Sequence, residues 1–145
     1  MNLLGMLELS GSALGAERQR AEVVASNMAN AQTTRTPAGG PYRRQMVVFQ
    51  AQRTPRFSLA LAGDLARENA VAVRVAAVVA DPRPPVMRFE PGHPDANSEG
   101  YVAYPPIDPI EEMTDLLGSV RAYELNASAV QATKNMITQS LDLLR

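Results

Sequence analysis

Both ends of the chain carry apolar residues at helical spacing, and the proline- and glycine-rich stretch between them does not. Near the N-terminus Leu3, Leu7, Leu14, Ala21, Val24 and Met28 recur at three- to four-residue steps or multiples of them, with Ser10 and Glu17 interrupting the stripe. Near the C-terminus Ile110, Met113, Leu117, Val120, Tyr123, Ala127, Val130, Ile137, Leu141 and Leu144 do the same more cleanly. Such a stripe is the apolar face of an amphipathic helix, and its mean step near 3.5 also suits a coiled-coil seam. Two helices of this kind, brought from opposite ends of one chain, are built to meet each other or another subunit.

Composition says how deep such a seam can be. Aromatic residues make up 5% of the 145, tryptophan is absent, and alanine is frequent in both helical ends. Full burial of a leucine or valine contributes roughly 1.5–3 kcal/mol, and alanine contributes much less. Ordering the backbone costs about 1–2 kcal/mol per residue. Neither end gains enough burial alone to offset that cost, so each is expected to need a partner.

The first helix is expected from about Asn2 to Ala31. Gly5, Gly11 and Gly15 weaken its opening turns, but would let a neighbouring helix come close. The run Thr36-Pro37-Ala38-Gly39-Gly40-Pro41 then opens a loop. Valine- and aromatic-rich runs at Gln45–Phe49, Ala70–Val79, Val86–Phe89 and Gly100–Tyr104, separated by Pro- and Gly-containing turns, read as short strands. Residues 58–69 fit neither period well and stay open between a short helix and a loop. Asp108 is a suitable N-cap, Pro109 suits the first helical position and Glu111 stands in capping-box position, so the last helix has a sharp start. Continued to Leu144 it spans about 54 Å. The expected fold is therefore α+β: long terminal helices (1–34 and 107–145) pairing in a coiled-coil-like unit, with a small β-rich region (35–106) between them.

Several function classes fall away. Cysteine is absent, which excludes disulfides, thiolate catalysis and cysteine metal sites. A net charge of −1 exerts no global pull on nucleic acid or anionic membrane. The segment 31–60 is locally basic, with five arginines and no acid, yet it carries no nucleic-acid-binding motif and reads as a polar surface. The N-terminus lacks a basic start and a small-residue cleavage site, so no cleaved secretory signal is expected. The longest apolar run, Val75–Ala80, falls far short of the roughly 20 residues of a membrane span.

His93, Asp95 and Glu99 are the one cluster with acid, base or ligand chemistry. There is no second histidine to complete a zinc site. Asp95 to Gly100 mimics the opening of a calcium loop, but its twelfth position is Pro106, which supplies no carboxylate. Asp and Asn residues that bond their own backbone explain the segment as a turn. No phosphate-cradling glycine loop or nucleophile elbow is present. No catalytic residue, cofactor or metal is expected.

Several runs together resemble the flagellar basal-body rod proteins of the rod and hook axial family, the proximal-rod component most of all. They are Ser26-Asn27-Met28-Ala29-Asn30 with Thr33-Thr34-Arg35; Gly39-Gly40-Pro41-Tyr42-Arg43-Arg44 leading to Val47-Val48-Phe49; Asp81-Pro82; Pro91-Gly92-His93-Pro94-Asp95-Ala96 with Gly100-Tyr101-Val102; and Glu111-Glu112-Met113 with Arg121-Ala122-Tyr123-Glu124 and Lys134. They span nearly the whole chain in the family's order, and 53–69 matches least. The resemblance implies a structural subunit of the bacterial flagellum, exported through the type III apparatus without a cleaved signal. In the periplasmic rod its terminal helices would pair in the inner tube. Its implied partners are copies of itself, other rod proteins, the inner ring and the export apparatus, with no nucleic acid and no transmembrane segment. On this reading Leu7, Leu14, Val24 and Met28 pack against Val120, Tyr123, Val130 and Ile137, within a subunit and between neighbours. Asn30, Tyr42, Arg43 and Arg44 are the expected loop contacts.

Overall fold

The computed structural model describes residues 3–53 and 71–143. Helix α1 (Leu3–Ala29) is followed by strands β1 (Gln45–Arg53), β2 (Val71–Ala80), β3 (Val86–Phe89) and β4 (Tyr101–Tyr104), and helix α2 (Pro109–Asp142) ends the order. Strands β1 and β2 form one two-stranded sheet and β3 and β4 another. The class is α+β, with long terminal helices around a small β region, as expected. β1 outruns its predicted end at Phe49, and the segment 58–69, open between helix and loop, lies outside the described residues.

Helix α1 stops two residues before its predicted end. The Asn30 amide is shared between the carbonyls of Ser26 (3.1 Å) and Asn27 (3.2 Å), and the Ala31 amide reaches only back to Met28 (3.3 Å). That tightening to i→i−3 bonds is how helix ends commonly close. Asn30 Nδ2 also caps the Ser26 carbonyl at 2.9 Å. At the start of α2, Asp108 Oδ1 accepts the Ile110 amide at 2.9 Å, fulfilling its N-cap role. Glu111, predicted to complete a capping box, instead turns a carboxylate toward Arg44 at 3.9 Å.

The chain forms two compact units. One comprises Met1–Gln19, Phe49–Ala76 and Ser119–Arg145; the other comprises Arg20–Val48 and Ala77–Gly118. In the first, Ser10 and Ala16 of α1 and Ser119 and Thr133 of α2 are buried. Ser12 Oγ links α1 to β2 by accepting the Val73 amide at 3.0 Å while donating to the Leu9 carbonyl at 2.7 Å. Gly11 and Gly15, expected to admit a close neighbour, have open space where a side chain would stand.

The second unit is centred on Val24, Val102 and Tyr104, with Asn27, Asp81 and Glu112 buried beside them. β3 and β4 pair antiparallel from Val86 opposite Tyr104 to Phe89 opposite Tyr101. The Asn97 side chain accepts the Glu99 and Tyr101 amides at 3.0 and 2.9 Å, so the calcium-like segment closes as a turn. Gly100 has φ +81°, and an added Cβ would lie 2.9 Å from the Phe89 ring, so only glycine fits there. Among the described residues, buried polar side chains outnumber buried hydrophobic ones.

Candidate assembly surface

Beside its apolar residues the second unit carries a buried polar network. Asn27 of α1 uses all four of its hydrogen-bonding positions. Its Nδ2 donates to the Gln45 carbonyl (2.9 Å) and to Glu112 Oε2 (3.0 Å). Its Oδ1 accepts the Gln45 amide (2.9 Å) and the Tyr42 hydroxyl (3.1 Å). Complete satisfaction of this kind makes a buried amide tolerable.

Glu112, fully buried at 0% exposure, accepts Arg44 Nε at its other oxygen. Only 11% of the Arg44 side chain is exposed, and its guanidinium also lies 3.8 Å from Asp81, 3.9 Å from Glu111 and 3.8 Å from Asp115. Arg20 of α1 reaches Asp115 of α2 at 3.2 Å. The loop after α1, the segment after β2 and the first turns of α2 therefore meet at one guanidinium.

Asp81 anchors the far side of this cluster. It accepts the Arg83 amide at 2.9 Å and Arg83 Nε at 2.7 Å, while its own amide donates to the Arg44 carbonyl at 2.7 Å. The side-chain bond from Arg83, then the backbone amide of Arg83, hold the Asp81 carboxyl below its ordinary range. A carboxyl lowered in the folded state stabilises above its unfolded pKa of about 3.9, and that stability is lost as pH falls through the lowered native value. Asp81→Asn is therefore expected to flatten the acid side of the stability–pH curve below about pH 5. Urea unfolding across that range measures it, and an unchanged acid slope would refute the role given to Asp81.

The apolar stripe of α2 points elsewhere. In the second unit Met113 is 57% exposed, and Ile110 and Leu117 are exposed with it, while neighbouring Glu112 is buried. In the first unit Val120 is 43% exposed and Tyr123 is also exposed, whereas Ser119 and Thr133 are buried and Val130 and Ile137 half-buried. The buried or half-buried residues Glu112, Ser119, Asn126 and Thr133 recur at heptad spacing. They form a polar stripe beside the apolar one, displaced from it by about one residue.

The predicted site residues divide accordingly. Val24 is buried, and Leu7, Leu14 and Met28 are half-buried. Asn30 caps its own helix and accepts Thr33 Oγ1 at 3.1 Å. Tyr42 and Arg44 turn inward to Asn27 and Glu112, and Arg43 is exposed. Sequence reasoning missed Asn27, Asp81 and Glu112 as a cluster; the heptad-spaced polar stripe was the available signal. The cluster that suggested chemistry is engaged in the turn. His93 Nδ1 accepts the Asp95 amide at 3.1 Å, and Asp95 takes Thr34 Oγ1 at 2.8 Å and lies 3.6 Å from Arg35. Among the described residues no group of three or more acidic or histidine side chains is placed to hold a metal ion.

Known proteins match both ends of the chain. A profile described as "Flagella basal body rod protein" matches residues 7–35, and one described as "Flagellar basal body rod FlgEFG protein C-terminal" matches 98–143. Both profiles describe flagellar basal-body rod proteins. Over its whole length the chain is similar to flagellar basal-body rod protein FlgC from Yersinia enterocolitica, with 38% identity across 99% of this chain and 98% of the relative. It is similar to FlgC from Bacillus subtilis with 39% identity across 99% of each, and to FlgC from Borreliella burgdorferi with 35% identity across 100% and 99%. The chain belongs to the FlgC family of flagellar basal-body rod proteins.

Proposed function

We propose that this chain, by its family a structural rod subunit of the flagellar basal body, polymerises through its terminal helices into the proximal rod, the shaft that crosses the periplasm. The observation that carries the reading is the apolar stripe of α2, whose Met113, Leu117, Val120 and Tyr123 stand exposed in the lone subunit. Monomeric proteins rarely leave apolar side chains aligned and uncovered unless a partner covers them. A surface that meets a different surface on the next copy generates an open helical polymer, which a shaft requires.

The partners on this reading are further copies, other rod proteins and the inner ring, reached through the type III export apparatus. The work is mechanical, and no bond of a substrate is made or broken. Among the described residues no helix is long and apolar enough to cross a membrane. Electron microscopy of basal bodies from a strain lacking this gene tests the reading. An inner ring from which no rod extends is expected, and a complete rod would overturn it.

A further inference from the structure

Hydrophobic burial alone does not account for the way α2 is turned. In the second unit, α2 directs Glu112 inward and leaves Ile110, Met113 and Leu117 in solvent. Consecutive helical residues differ by about 100° around the axis, so a rotation of one residue would exchange Glu112 for Met113 and Leu116 for Leu117 on the inward face. That rotation buries more apolar surface and frees a carboxylate to water, which burial by itself favours. Directional contacts oppose it: Asn27 Nδ2 to Glu112 Oε2 at 3.0 Å, Arg44 Nε to Glu112 Oε1, and Arg20 to Asp115 at 3.2 Å.

We propose that Asn27, Arg44 and Glu112 are positioning residues that fix the rotation of α2, holding its polar face inward so that its apolar face stays free for the neighbouring subunit. Buried ion pairs are commonly no more stabilising than apolar residues of the same volume, and their best-attested use is to fix register. Asn27 suits that use because the Gln45 backbone pins it on both sides, at 2.9 Å each way, and presents its remaining proton to Glu112. Arg44 is anchored in the same way, its carbonyl accepting the Asp81 amide at 2.7 Å. The latch rests on the reading of the α2 stripe as the assembly face.

The experiment uses the full chain, which has no cysteine of its own. Met113→Cys then places a single thiol on the exposed stripe, and its rate of reaction with a maleimide reports how far that face is open. With Arg44→Met added, Glu112 stays a carboxylate but loses its cation, so α2 is expected to turn it out to water and its stripe inward, and labelling to slow roughly tenfold because the thiol then reacts only from rare openings. A single cooperative thermal transition is expected to remain, and a strain carrying Arg44→Met without the cysteine should build no rod. Unchanged labelling would show that α2 keeps its rotation without the latch. Faster labelling, or loss of cooperative melting, would show that the network only holds the fold together. Any of these three results overturns the proposal. Rod assembly by a strain carrying Val120→Asp would overturn the assembly face instead, so the two failures are distinguishable.

Discussion

Val120→Asp is expected to leave the isolated chain folded and to abolish the rod. Val120 is 43% exposed, so a carboxylate there finds water in the lone subunit. Substitutions at such positions usually change stability by about 0.5 kcal/mol or less. In the polymer proposed above the same position would be covered. The loss is then the burial of a valine, roughly 1.5–3 kcal/mol, together with the larger cost of enclosing an unpaired charge. Each 1.4 kcal/mol is about a tenfold loss in a contact's equilibrium constant, and a helical lattice repeats the contact at every subunit. Purified variant and wild type should therefore melt within about 2 °C of each other. The complemented deletion strain should be non-motile, with rodless basal bodies. A motile strain would remove Val120 from the seam, and a large drop in melting temperature would show that it supports the subunit's own fold.

The sequence made the helices legible because their signals are local. The Asp108-Pro109 start specifies α2 within a few residues, and the observed cap bond to Ile110 is the one those residues call for. Among the described residues the strands were legible in number and nearly in extent, since valine-rich runs between Pro and Gly turns leave little choice. The direction in which α2 faces was not legible. Periodicity identifies an apolar stripe but does not say whether its own subunit or a neighbour covers it. In a lone globular domain the apolar stripe would lie inside, but here Glu112, Ser119 and Thr133 are the buried side chains. The reason is non-local: Glu112 is tolerated in the interior only because Asn27 and Arg44, 85 and 68 residues away, bring it a proton each. No window along the chain contains both ends of that bond.

Two adjacent glutamates make the same point as a measurement. Glu112→Ala is expected to cost about 3–5 kcal/mol, the usual penalty for removing one member of a buried pair. Arg44 would keep only carboxylates at 3.8 and 3.9 Å, and Asn27 would lose its contact to α2. For a chain of this size that lowers the melting temperature by on the order of 10 °C. Glu111→Ala removes the same charge one residue earlier, from a side chain that is 55% exposed and 3.9 Å from Arg44. Its cost should stay within about 1 kcal/mol, as for surface ion pairs generally. Urea denaturation of the two variants beside the wild type gives the comparison directly. Equal losses would mean that charge around Arg44, rather than the buried bonds, holds the unit together. A large loss for Glu112→Ala, set against an undiminished melting temperature when Arg44 and Glu112 both become apolar, would separate the two contributions. A pair that cost stability when broken and contributed little when replaced would behave as a group kept for where it points α2.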